Sequence, residues 1–140
     1  MRDIASELAV LLEGTGLGLM RPPAPDANLF TAPLPEADGD VPDMAVALMV
    51  IGGDRTQFYI GASRAIRLSL NCLIRVRSAC EDFNGGQQLA YGLVESIGKS
   101  LGIPNAFVCA EEGAPEYSGA DDLGRHRWVI HLSVRVLRRF

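Results

Sequence analysis

Two long runs of alternating apolar and polar residues dominate the chain. In the first, Ile66, Leu68, Leu70, Cys72, Ile74 and Val76 alternate with Arg67, Ser69, Asn71, Arg75 and Arg77. In the second, Trp128, Ile130, Leu132, Val134 and Val136 alternate with His131, Ser133 and Arg135. Period-two alternation of this length predicts β-strands with one face buried and the other presented to something else. The run over 44–51 is instead continuously apolar, bounded by Pro42 and by Gly52-Gly53-Asp54. It predicts a strand covered on both faces, closed by a hairpin turn at the two glycines. A short strand is expected over 106–110.

Helical spacing occurs twice. Asp3 caps a first helix with Ile4, Leu8, Leu11 and Leu12 on one side, ended by Gly14. Asp82 or Asn84 caps a second with Leu89, Leu93, Ile97 and Leu101 at four-residue spacing, stopped by Gly102 and Pro104. Glu95 and Lys99 pair on its exposed side. Gly92 and Gly98 each cost that helix up to ~1 kcal/mol relative to Ala, which suggests close approach to a sheet or a partner.

Between the first helix and the apolar run, residues 20–43 carry Pro22, Pro23, Pro25, Pro33, Pro35 and Pro42 mixed with Asp26, Asp38 and Asp40. This composition predicts an extended arm with one strand-like patch at Leu29-Phe30-Thr31. A second irregular segment, acidic and Gly-punctuated, runs from Pro115 to Gly124 and leads into the last strand. The expected fold is α+β: a single mostly antiparallel or mixed sheet, two α-helices on one of its faces, and the Pro-rich arm. Nothing obvious in the chain is left to cover the sheet's other face.

At 140 residues, 48% hydrophobic and 21% charged, the chain (1–140) reads as one globular domain. No apolar run approaches the ~20 residues of a membrane span. Asp3 and Glu7 interrupt the N-terminus early, so no signal peptide is expected there and synthesis and use in a cytoplasm are. Cys72, Cys80 and Cys109 lack metal-like spacing and read as reduced structural residues.

The net charge of −4 argues against a nucleic-acid binder, and its distribution is more informative. Of 13 basic residues only Lys99 is not Arg. Arg64, Arg67, Arg75, Arg77, Arg125, Arg127, Arg135, Arg138 and Arg139 lie in or beside the two alternating strands, while acids crowd the loops. Arg enrichment is a feature of protein interfaces, although a GC-rich genome also favours it. Codon bias does not account for the separation of the two signs.

Candidate chemistry is sparse. Gly14-Thr-Gly-Leu-Gly18 has the look of a phosphate loop but follows a helix and precedes prolines, the wrong context for a cradle. His126 and His131, five apart on a strand, point to opposite faces and cannot share a metal. Asp121-Asp122 beside Glu116 could hold a cation, but acids in a Gly-rich loop are usually just solvated. Base stacking would fall to Phe58 and Tyr59, since Trp128 sits on the apolar face. No hydrolase, zinc-site or nucleotide-loop pattern occurs, so neither an enzyme, a metal nor a cofactor is expected.

The pattern Pro115-Glu-Tyr-Ser-Gly119-x-Asp121-x-x-Gly124-Arg125-x-x-Trp128, followed by an alternating strand, is similar to the C-terminal part of the tail terminator (minor capsid or tail completion) proteins of long-tailed bacteriophages and prophages. The order of elements resembles theirs over nearly the whole chain, including Phe30-Thr-Ala-Pro-Leu-Pro35 and the later Gly-Gly pair. The resemblance implies a virion protein of the tail or neck, assembled in the host cytoplasm. It would form a homo-oligomeric ring, typically a hexamer, that caps the tail tube protein, ends tail polymerisation and offers a surface to the head–tail connector or stopper. DNA would pass through its lumen without specific binding, and neither a cofactor nor a membrane is involved.

On this reading Arg67, Arg75, Arg77, Arg125 and Arg135 meet acids of a neighbouring copy, among them Asp121, Asp122 and Glu116. Leu29, Phe30, Pro33 and Pro35 would supply arm contacts. A head-completion or connector protein of the same neck is the alternative, followed by a small ligand-binding domain or enzyme.

Overall fold

A computed structural model describes residues 3–22, 24–34, 41–53, 57–59, 65–98, 106–110 and 114–139, with side chains described except at 57–59, 65–68, 98, 106–110 and 137–139. The elements in chain order are α1 (Ile4–Glu13), β1 (Leu29–Phe30), β2 (Ala45–Gly53), β3 (Gln57–Tyr59), β4 (Ala65–Ser78), α2 (Phe83–Gly98), β5 (Ala106–Ala110), β6 (Glu116–Ala120) and β7 (His126–Arg139).

The two alternating runs form β4 and β7, which pair antiparallel without interruption from Ala65 opposite Arg139 to Ser78 opposite His126. At about 3.3 Å per residue this ribbon is about 46 Å long, and the remaining strands flank it. β2 and then β3 lie along one side of β4, while β6 and then β5 lie along the outer side of β7. β1 adds to β2 in parallel. The protein is therefore α+β, with one mixed sheet and two helices among the described residues.

Alternation decides which face is buried. Cys72, Ile74 and Val76 of β4 sit opposite Leu132, Ile130 and Trp128 of β7, each with at most 2% of its surface exposed. α1 adds Ile4, Leu8, Ala9 and Leu12 to this core, and α2 adds Ala90, Leu93 and Ile97. Both helices thus cover the same face. Asp3 caps α1 by accepting from the Ser6 backbone N–H at 3.1 Å. Asp82 does the same for α2 through Gly85 N at 3.0 Å. Gly86 is the tight point of the layer: a Cβ there would stand 2.4 Å from the Trp128 ring and 2.6 Å from the Ser78 side chain.

Four expectations need correction. Gly52-Gly53 is not a hairpin turn. Both glycines belong to β2, opposite Asn71 and Leu70 and just past a bulge, and the antiparallel partner of the start of β4 is β3, with Tyr59 opposite Ala65. A Cβ on Gly53 would be 2.3 Å from Ser69 O, so the glycine serves close strand approach rather than a turn. β2 itself is covered on both faces only as far as Leu48, since Val50 and Ile51 are exposed. Half of the acidic loop is strand β6, hairpinned to β7.

The extended arm is not found over the described part of 20–31. Asn28 clasps that segment: its Oδ1 accepts from Met20 N at 2.7 Å and its Nδ2 donates to Gly18 O at 3.1 Å. Arg21 pairs with Glu13 of α1, its backbone N donating to the carboxylate at 2.8 Å. The clasp delivers Leu29, fully buried, into the core beside Val46. Pro35 and the acids Glu36, Asp38 and Asp40 lie outside the described residues.

Candidate functional site

The face of the sheet opposite the helices carries every other residue of β4 and β7. Reading across the strands, Arg77 lies beside Ala45 and Arg127, Arg75 beside Ala47 and Val129, and Leu73 beside Met49 and His131. Asn71 then faces Ser133, and Ser69 faces Arg135. Glu116 of β6 lies opposite Val129 and ends the Ala47–Arg75–Val129 row. No described helix covers this face. Arg75 and Arg135 are exposed, while Val129, His131 and Ser133 are half-buried. Neither Arg75 nor Arg135 makes an ion pair with a described residue.

One end of the face is covered by the chain itself. Arg77 is 4% exposed, its Nε donating to Asp43 O at 3.1 Å and its Nη2 to Pro42 O at 2.9 Å. Ala45 and Ala47 of β2, beside Arg77 and Arg75, are fully buried. Arg125 is equally buried, with Nε 2.8 Å from Asp121 Oδ2 and Nη1 3.7 Å from Asp43 Oδ1. Among the described residues, Arg77 and Arg125 thus meet Asp43 and Asp121 at this end of the sheet.

Burial, then the charge of Arg125, pulls the Arg77 guanidinium below its ordinary pKa, opposed by Asp121 and Asp43. For Asp121, burial alone would raise the carboxyl. Hydrogen bonds from the Arg125 backbone and side chain and from Leu123 N, with the Arg125 charge, outweigh that and hold it below the ordinary value.

Between the covered end and the open rows lies a groove of about 370 Å³. Its apolar lining includes Pro33, Leu34, Met49, Ile51 and Leu73, and its charged lining is Arg75, Arg77, Arg127 and Asp121. Arg127 donates from Nη2 to Ala120 O at 3.3 Å, and its buried Nε has no partner among the described residues.

The helix side of the sheet holds a cluster that sequence reasoning missed. Phe83 of α2 meets Tyr117, His126 and Trp128 with ring centroids 5.2–5.5 Å away. The Tyr117 hydroxyl and His126 Nδ1 are 2.9 Å apart, and His126 Nε2 is 3.0 Å from Cys80 O. Both ring nitrogens of His126 are thus occupied by structural partners. The signal for this cluster was Tyr117 opposite Trp128, visible only once β6 is known to be a strand.

The expected interface residues divide accordingly. Arg75, Arg135, Asp122 and Glu116 are exposed, and Arg75 and Arg135 stand on the open face. Arg77, Arg125 and Asp121 do not present themselves to a neighbour, because they are buried against each other and against 42–43 of their own chain. Leu29 is likewise consumed by the core; Phe30 is half-buried, and Pro33 is exposed on the groove wall. Arg67 lies on β4 opposite Leu137, its side chain outside those described. Among the described residues no group of three or more His, Cys, Asp or Glu side chains could hold a metal. No helix among them is long and apolar enough to cross a membrane. Compared with protein-family models and with curated proteins, the chain matches none of them.

Proposed function

We propose that this protein is a tail terminator of a long-tailed phage or prophage: a ring-forming virion component that caps the tail tube, stops its growth and receives the head connector. The observation that carries the reading is the sheet face that no described helix covers. A face with exposed Arg75 and Arg135, neither ion-paired among the described residues, next to buried Leu73 and half-buried Val129 is neither a plain solvated surface nor a finished core. Arg beside apolar residues is the composition of a protein contact. The motif Pro115 to Trp128 supports the family, and the α+β architecture with one long antiparallel ribbon suits a ring subunit.

Head-to-tail contacts between copies close into rings when the rotation between neighbours closes. A net charge of −4 also suits a component through which DNA slides, because it avoids binding phosphates.

The reading is tested by adding the chain to tail-tube protein during polymerisation and examining the tubes by electron microscopy. A terminator shortens the tubes in proportion to its amount and is found, by gold labelling, at one tube end. Unchanged tube lengths with no end-bound label would overturn it.

A further inference from the structure

We infer that the tip of the β6–β7 hairpin, Asp122 and Leu123, seats in the groove of a second copy between Met49, Leu73 and Arg75. The inference rests on the ring reading above and names the surfaces that would meet. The tip is held rigidly. Asp121 Oδ1 accepts from Leu123 N and from Arg125 N, both at 2.9 Å, and Gly124 N donates to Asp121 O at 2.9 Å. Gly124 turns the chain at φ +77°, a left-handed conformation that favours glycine. This bracing leaves Asp122 exposed and 47% of Leu123 in solvent. A braced turn that displays a leucine has little conformational freedom left to lose on docking.

The groove is complementary in both respects. Met49, Ile51, Leu73, Pro33 and Leu34 give it an apolar lining suited to a leucine. Among the described residues, Arg75 in its lining is exposed and makes no ion pair, and the buried Arg127 Nε has no hydrogen-bond partner. The charged lining is Arg75, Arg77 and Arg127 against one carboxylate, Asp121, which is already paired with Arg125, so an apolar side chain flanked by a carboxylate matches an apolar groove of net positive lining. Neither Asp122 nor Leu123 lines the groove of its own chain. Asp121, at the foot of the hairpin, does line it, so tip and groove adjoin without overlapping; a tip-in-groove contact repeated in one direction from copy to copy runs head to tail, the arrangement that generates rings.

The test is a charge swap read by sedimentation velocity, using Arg75→Asp, Asp122→Arg and the double variant. Both residues are exposed, and circular dichroism verifies that each variant is folded. Each single reversal is expected to weaken self-association on the order of tenfold, because attraction becomes like-charge repulsion, and the double variant to recover most of the loss. Leu123→Ser should weaken association without changing its salt dependence. If the single reversals associate like the parent, or the double variant is no better than the singles, the pairing is wrong while the ring reading stands. A parent chain that does not self-associate even with tube protein present overturns both.

Discussion

Arg125 Nε and Asp121 Oδ2 stand 2.8 Å apart across the β6–β7 turn, with only 4% and 8% of their side chains exposed. This pair determines what the hairpin can offer. It turns one of two adjacent aspartates inward as a brace and leaves the other, Asp122, outside. It also ties the turn to Asp43, whose carbonyl holds Arg77. The tip and the segment covering the sheet end are thus linked through one charge cluster.

Removing the brace should unsettle the fold. Asp121→Ala takes from the buried Arg125 the carboxylate 2.8 Å from its Nε and is expected to cost on the order of 2 kcal/mol, given the strength of hydrogen bonds to charged groups. Urea unfolding followed by Trp128 fluorescence measures it. A loss within error of zero would mean that the pair does not brace the turn.

The same residue gives a pH dependence of definite sign. The folded carboxyl of Asp121 holds its proton more weakly than the ordinary aspartate value of 3.8. Its stabilisation is then complete above that value and declines as pH falls through the lower folded value. The stability difference between the parent and Asp121→Asn should be largest near neutrality and shrink below about pH 4. Asp3, also lowered by its bonds to Ser6, titrates in the same direction but cancels in the comparison. A difference that grows on acidification contradicts the assignment.

Two helical glycines should respond oppositely to alanine. Helix propensity alone favours Ala over Gly by up to ~1 kcal/mol at either position. At Gly86 the added methyl meets the Trp128 ring at 2.4 Å, and overpacking of that kind costs about 1–3 kcal/mol. At Gly92 it meets only the end of Leu17 at 3.1 Å, which can move aside. Thermal unfolding should show Gly86→Ala destabilised and Gly92→Ala neutral or stabilised.

Thiol reactivity should separate the cysteines. Burial pushes the Cys72 thiol up to about 11, whereas Cys80 is exposed. Brief alkylation at neutral pH followed by peptide mass mapping should find Cys80 modified and Cys72 protected. Early modification of Cys72 would mean that β4 opens readily.

These details were unequally legible in the sequence. β4 and β7 could be read because each carries five or more apolar residues at period two, and both helices because their caps and spacing agree. β6 could not, since Glu116–Ala120 has no alternation of its own and is a strand only because β7 pairs with it. Gly52-Gly53 misled because paired glycines serve turns and bulges alike, and only contact with Ser69 distinguishes them. For the open face, alternation correctly assigned Arg75 and Arg135. It could not foresee that Pro42 and Asp43 would fold over Arg77, because that contact spans 34 residues or more of sequence. Asn28 shows the same limit: a clasp of side-chain hydrogen bonds leaves no periodic trace, and a Pro-rich stretch held by one reads as an arm.

The central claim is that the uncovered face joins copies of this chain. Its most direct test is the solution mass by sedimentation equilibrium, over a range of concentrations, alone and with tail-tube protein. The account predicts one closed oligomer, a hexamer if the resemblance holds, whose mass stops rising once the ring is complete. A chain that remains monomeric, or stops at a two-fold dimer, under both conditions contradicts it.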